Sequence, residues 1–454
     1  MRAFFLALSF MSSVVLMAQD QMTVNLYFNI KNIPADEEVQ LAYRYGDKTY
    51  IREELGSFQN GAYSYQSDSV NRGVYLLNFK NKNAYFEFIL NEPTFSIIAD
   101  YNDLDNTQGS LGSKENEVFF GYIKKVTEIN RKVSEVDGNV AWDDEKKQQE
   151  RERLGEEINA YRDLILEKNP GLLVTDLFKA YMDPVIPEVP AGMSEAEAQS
   201  FQFNYYKEHF FDNLNFENDA LLYSPVIYSK MQIYRDQLTY QEPDSLLKTA
   251  NQMIELASVN QNIKKYLIIE FFNYFANSKT VCMDKAYVAM ADQYYLSGEA
   301  DWIDPEQLSK IVDNANNLRN NICGEKAFNF TLKDASGKSV SLNNIQTEWT
   351  VLLFLKSDCS GCAKELEKLK SIDLSGADYK IVTVHLKDDA GWQEQVQDLK
   401  GEHYIHLTDA AGVIDWKRQY NLSSFPLVYV LDREKVIQYK RISVELLPQL
   451  IEKK

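Results

Sequence analysis

Ser357-Asp358-Cys359-Ser360-Gly361-Cys362-Ala363-Lys364-Glu365-Leu366, SDCSGCAKEL, places two of the chain's four cysteines three residues apart. The run before it, WTVLLFLK (349–356), reads as a buried strand, and AKELEKLKSI (363–372) after it reads as an amphipathic helix. A cysteine where a strand ends and a helix opens sits over unpaired backbone N–H groups and the positive end of the helix dipole. That location stabilises a thiolate, the form that attacks disulfides. Cys359 therefore reads as the nucleophile and Cys362, one turn deeper, as the resolving thiol, with the small Ser360 and Gly361 leaving the first sulfur accessible. Asp358 disfavours the thiolate while Lys356 and Lys364 offset it, so the sequence does not set a redox potential.

The surrounding pattern predicts an α/β domain over 323–454. KAFNFTLKDASGKSVSLNNI (326–345) offers a hairpin around Ser336-Gly337, KIVTVHL (380–386) a second buried strand, and AGWQEQVQDLKG (390–401) another helix. After VIDWKRQYNL (413–422) come Ser424-Phe425-Pro426, the strand LVYVLD (427–432), a turn at Arg433-Glu434-Lys435, the strand VIQYKRI (436–442) and a last helix. Strand, helix, strand, helix, then a proline-led hairpin and a helix is a thioredoxin-type order.

On these residues the segment resembles the TlpA/ResA-like branch of thioredoxin-like thiol-disulfide oxidoreductases of the bacterial envelope. CGEKAFNFTLKDASGKSVSLNNI (323–345) is similar to the entry segment, VLLFLKSDCSGCAKEL (351–366) to the active site, and SSFPLVYVLDREKVI (423–437) to the proline hairpin. The resemblance implies a cis-proline loop at Phe425-Pro426 facing the cysteine pair, its backbone edge holding a substrate polypeptide as an added strand. It also implies a redox disulfide as the whole active chemistry, with no organic cofactor and no metal. The sequence departs from the family where an aromatic usually precedes the first cysteine (Asp358), between the cysteines (Ser360-Gly361) and at Phe328, where a proline is common. The whole chain also resembles multidomain envelope proteins of Bacteroidetes-type bacteria.

At 454 residues the chain is long enough for two or three domains, and 45% apolar with 25% charged residues is a globular composition. Residues 1–18, with Arg2 and the apolar run AFFLALSFMSSVVLMA, read as a signal peptide, so the expected location is the periplasm or cell envelope. No cysteine follows that run, which argues against lipidation. From 19 to 112, alternating runs such as MTVNLYFNI (22–30), GVYLLNFKN (73–81) and TFSIIADY (94–101) predict an antiparallel, sandwich-like β domain. From 113 to 322, long stretches at helical spacing predict an all-α domain, with a helix ending at Pro170-Gly171 and another starting at Ser194-Glu195-Ala196-Glu197. The aromatic stretches FQFNYYKEHFF (201–211) and EFFNYFANS (270–278) are expected as core stripes. A net charge of −19 without a basic block excludes nucleic acid as an expected partner.

Several other readings compete for the cysteines. A zinc site would have to add His403 and His406, or Cys282 and Cys323, to the pair, since four ligands are needed. A peroxiredoxin needs a threonine where Lys356 stands. Cys282 and Cys323 are expected to form one structural disulfide closing a loop of about 40 residues, worth roughly 3–4 kcal/mol. His209 and His385 are expected as packed residues rather than ligands. The reading that results is an exported reductase or isomerase of protein disulfides, served by an envelope electron donor, with Cys359 attacking and Cys362 resolving. The alternative is an envelope binding or scaffold protein whose thioredoxin-like domain is inactive. Oligomeric state, substrate identity and the donor are not readable from the chain.

Overall fold

The computed structural model describes residues 21–386, 389 and 391–451, so the expected signal peptide lies outside the described residues. The chain forms two compact units, one running to Thr239 with Met253–Lys264, the other Tyr240–Gln252 with Lys265–Lys454.

The first unit opens with eight strands: β1 (Met22–Lys31), β2 (Val39–Tyr45), β3 (Lys48–Gly56), β4 (Ala62–Val70), β5 (Gly73–Phe79), β6 (Ala84–Leu90), β7 (Thr94–Asp100) and β8 (Gly109–Leu111). They make two four-stranded sheets, ordered β4-β1-β7-β8 and β3-β2-β5-β6. Period-two alternation does the folding work: Val24, Leu26, Phe28 and Ile30 of β1 are buried, while the residues between them face outward. Phe28, Phe88 and Phe95 meet edge-on in the resulting core. The apolar runs point to β1, β2, β5, β6 and β7, but β3 is mostly exposed and β4, AYSYQSDSV, is mostly polar, so both give little signal. One pairing, β1 with β7, is parallel. These strands stand at the two ends of the domain, so no hairpin imposes an antiparallel direction on them.

The helices that follow pack onto this sandwich. Asn116, in the helix Lys114–Asp137, accepts from the Ile89 N–H and donates to the Ile89 carbonyl, both at 2.7 Å. Glu115 accepts from the N–H groups of Leu173 and Val174, which open the helix Leu173–Ala180. The 3-10 turn Asp219–Tyr223 lies against β2 and β5, with the Tyr223 ring 6.0 Å from Tyr43 and 5.3 Å from Tyr45. Sandwich and first helices belong to the same compact unit, which runs to Thr239.

The helix Glu195–Glu208 begins with the expected cap, Ser194 and Glu197 forming a reciprocal capping box. Its aromatic stripe is not core: no residue of the helix is buried and Phe203 is 48% exposed, while Phe210, just beyond it, is buried. His209 is likewise not a packed core residue. It ends this helix half-buried, stacked on Tyr205 at 4.1 Å and 2.7 Å from Asp212. Helical spacing shows that a face is apolar but not that anything covers it.

In the second unit the other aromatic stretch does form core, through Phe271, Phe272 and Phe275. Its seven-stranded sheet is ordered β10-β9-β13-β12-β11-β14-β15, from β9 (Thr331–Asp334), β10 (Ser339–Ser341), β11 (Trp349–Leu355), β12 (Tyr379–His385), β13 (Tyr404–Thr408), β14 (Leu427–Leu431) and β15 (Ile437–Lys440). The central β11, β12 and β13 run parallel, and the flanking pairs are antiparallel. Both faces are covered, one by a cluster with Phe354, Trp416, Tyr420 and Tyr429, the other by one with Cys362, Leu366, Val428 and Val430. The helix expected over 390–401 shrinks to one turn, Trp392–Gln395.

Cys282 and Cys323 are joined by a disulfide that spans 41 residues. Beside it, the buried Lys440 pairs with Asp284 and donates to the Asn321 carbonyl at 2.5 Å. Among the described residues no helix is long and apolar enough to cross a membrane.

Candidate active site

β11 delivers the chain, through Lys356, Ser357 and Asp358, to Cys359, which is the N-cap of the helix Ser360–Ser371. Its backbone is extended (φ −107°, ψ 109°), and its Sγ accepts from the Cys362 N–H at 3.1 Å. The sulfur thus occupies the place where a helix presents unpaired donors. Cys359 and Cys362 are joined as a disulfide, Cα to Cα 5.2 Å. The two sulfurs are not equivalent: Cys362 is completely buried in the core beneath the helix, whereas Cys359 is partly exposed.

Phe425-Pro426 stands over this pair with a cis peptide bond. A Cβ on Gly361 would lie 3.2 Å from Pro426 Cδ, 3.9 Å from the Phe425 carbonyl oxygen and 3.8 Å from Cys359 Sγ. Gly361 is therefore the residue that lets the proline loop close onto the helix. Lys356 holds its ammonium 5.7 Å from the Phe425 ring centroid, while Asp358 and Ser360 are exposed.

Glu365, on the same helix, receives the Val444 N–H at 2.9 Å, the Ser443 hydroxyl and Lys368 at 2.9 Å. Burial raises its pKa, but these donors outweigh burial and hold the carboxyl below the ordinary range. The pairing clamps the active-site helix to the C-terminal segment.

A second wall comes from residues whose roles the sequence reading did not single out. The Ser357 N–H donates to Asp389 Oδ1 at 3.0 Å, Gln395 Nε2 donates to the Lys356 carbonyl at 3.0 Å, and a Cβ on Gly391 would come within 3.1 Å of Ser357. Asp389 also meets His385, at the end of β12, which is fully buried and stacked on Trp392 at 4.8 Å. Burial pushes His385 down to about 4, with Asp389 pulling the other way, and also lowers His406. The available signal was a histidine at a buried strand end followed four residues later by an aspartate, a spacing that says nothing until the fold brings the two side chains together.

The zinc candidates have other partners. Cys282 and Cys323 bond each other, His403 stacks on Tyr379 at 4.5 Å, and His406 bonds Thr383 and the Leu399 carbonyl. Among the described residues no group of three or more histidine, cysteine or acidic side chains is arranged to hold a metal ion.

A parallel-centred sheet, a Cys-x-x-Cys pair capping a helix and a cis-proline loop above it define a thioredoxin-like domain. The AhpC/TSA family model matches residues 323–440, and the model of a domain of unknown function, DUF5106, matches residues 142–321 before it. The chain is 28% identical over 119 residues to the thioredoxin-like protein YneN of Bacillus subtilis, an overlap of 25% of this chain and 68% of that protein. Among solved structures it is similar to a thioredoxin-like protein from Bacteroides caccae, at 19% identity over 60% of this chain and 97% of that one, TM-score 0.44. It is also similar to a domain of a possible thiol-disulfide isomerase from Cytophaga hutchinsonii, at 26% identity over 28% and 90% of the respective chains, TM-score 0.25.

Proposed function

We propose that this protein is an exported thiol-disulfide oxidoreductase that reduces or isomerises protein disulfides in the cell envelope. The observation that carries the reading is the asymmetry of the pair: a partly exposed sulfur at the helix N-terminus and a fully buried one a turn below, both under the proline loop. In the reduced protein the Cys359 thiolate attacks one sulfur of a substrate disulfide, forming a mixed disulfide and expelling the other substrate sulfur as a thiolate. The Cys362 thiolate then attacks Cys359 Sγ, which releases the remaining substrate thiol and closes the Cys359–Cys362 disulfide. An envelope dithiol donor returns two electrons and resets the pair. The backbone edge at Phe425-Pro426 holds the substrate chain, and no organic cofactor or metal enters the cycle.

The test is a redox titration followed by alkylation and mass spectrometry, with Cys359→Ser as control. A reversible two-electron couple at Cys359 and Cys362, with a mixed disulfide to Cys359 trapped in Cys362→Ser, is the expected result. A pair that stays unreactive towards thiols and disulfides would end the proposal.

A further inference from the structure

The first unit holds a concave site of its own, a cleft of about 350 Å³ where the helices pack beside β6. Glu87 of β6 lines it from the side of the strand opposite Phe86 and Phe88, which belong to the sandwich core. Four aromatic rings wall it: Phe119 and Tyr122 of the helix Lys114–Asp137, Phe178 of the helix Leu173–Ala180, and Tyr181 just past that helix. Arg162, from the helix Asp144–Lys168, is its other charged residue. Tyr122 and Phe178 touch, 4.4 Å between ring centroids, yet both stay half-buried like Phe119, and Tyr181 is 56% exposed. Protein interiors rarely leave space larger than a water molecule, and rings gathered round a cleft with a few polar groups are the usual lining of a ligand site. An apolar cavity of about 150 Å³ already accepts a benzene ring, so this one has room for a ring and a short chain bearing a polar group.

The two charges are not equally engaged. Glu87 Oε1 takes both Nε (2.9 Å) and Nη2 (2.6 Å) of Arg44, and both side chains are half-buried, so the carboxylate is met within the protein. A cationic ligand would find it occupied. Arg162 reaches only Asp163, its neighbour in sequence, at 3.2 Å from Nη2 and 3.4 Å from Nε, and that carboxylate is 60% exposed. Successive residues on a helix do not face each other, and a pair so open to water holds weakly. The Arg162 side chain is itself 23% exposed, and its Nη1 donors meet no acceptor among the described residues. What this guanidinium lacks is an anion, and its planar fork fits a carboxylate.

We propose that the cleft binds an aromatic carboxylate, its ring among Phe119, Tyr122 and Phe178 and its carboxylate on Arg162. This chemistry has two sources, a free arylalkanoic acid and the C-terminal aromatic residue of a polypeptide, which present the same ring and the same carboxylate. The site stands independently of any reaction at Cys359.

Isothermal titration of the purified protein with phenylpropionate, with its uncharged amide and with the peptide acetyl-Gly-Gly-Phe tests this. The acid is expected to bind more tightly than the amide by about tenfold or more, the worth of a charge-assisted hydrogen bond. Arg162→Gln should abolish that preference while sparing the amide, which an unfolded variant could not do. Phe178→Ala should weaken acid and amide by the same factor, with thermal melting followed by circular dichroism to show that the variant is folded. A peptide held far more tightly than phenylpropionate, with the advantage lost on amidation of its C-terminus, identifies a polypeptide end as the source; a peptide no better than the acid identifies the free acid. The proposal is overturned if neither the acid nor the peptide binds saturably at millimolar concentration, if acid and amide bind alike, or if the preference for the acid survives Arg162→Gln.

Discussion

Gly361 and Pro426 pack so closely that a methyl group on Gly361 would lie 3.2 Å from Pro426 Cδ, tighter than an ordinary carbon contact. The backbone at Gly361 does not have a positive φ, so alanine is allowed there conformationally and raises helix propensity by about 1 kcal/mol. Gly361→Ala should therefore fold normally yet push the proline loop away from Cys359. Reduction of a protein disulfide should slow by about tenfold, as expected for a displacement of a few tenths of an ångström at a reacting centre. Alkylation of reduced Cys359 by a small reagent should be nearly unchanged, and equal rates on both substrates would refute the positioning role.

Glu365 gives a stability effect whose sign is fixed by its environment. Its folded pKa lies below the ordinary 4.5, so its stabilisation is fully present above that value and is lost as pH falls through the folded one. Glu365→Gln should cost about 1.5 kcal/mol at pH 7, the worth of a hydrogen bond to a charged group, and much less at pH 3. Urea unfolding at both pH values checks this; an equal difference at the two would rule the charge out as the cause.

The Cys282–Cys323 bridge closes a loop with a separation of 41 residues. Replacing both cysteines by serine should lower stability by about 3–4 kcal/mol, chiefly by freeing the unfolded chain. Denaturation of this variant, with Cys359 and Cys362 left oxidised, isolates the effect, and an unchanged midpoint would show that the bridge adds nothing.

Lys440 is a buried cation whose side chain is 3% exposed and whose partners are Asp284 and the Asn321 carbonyl. Lys440→Met leaves both unpaired and should cost about 3 kcal/mol. Adding Asp284→Ala should cost less than the sum of the single changes, by about 1 kcal/mol or more. Strict additivity in a double-mutant cycle would mean the ion pair is not energetically coupled.

Much of the thioredoxin-like domain was legible because its signals are local. An apolar run with no polar interruption makes β11, the cysteine spacing marks a helix start, and Ser336-Gly337 makes the β9–β10 turn. The capping box at Ser194 was equally plain, since both partners lie within four residues. The stripe over 201–211 misled for the opposite reason: burial depends on a partner surface, and among the described residues the helix Glu195–Glu208 is at most half-covered while Phe210 beyond it is buried. β3 was missed because a mostly exposed strand keeps its pairing but loses its alternation of hydrophobicity, and β4 because Tyr63, Ser67 and Ser69, on its more covered positions, are polar.

By itself, then, the sequence determined the order of most elements around the cysteine pair and the strand-to-helix seat of Cys359, both consequences of bonding within a few residues. Tertiary structure alone decided how completely Cys362 is sealed in the core, and that Pro426 packs on Gly361, 65 positions away, closely enough to leave no room for a side chain. It also decided that Asp389 reaches back 32 residues to hold the Ser357 N–H. The Asp389 contact arises from the parallel β11–β12 pairing and the Pro426 contact from the antiparallel β11–β14 pairing, each of which brings strand ends distant in sequence to the same end of the sheet. No pattern of neighbouring residues encodes which side chains will meet there.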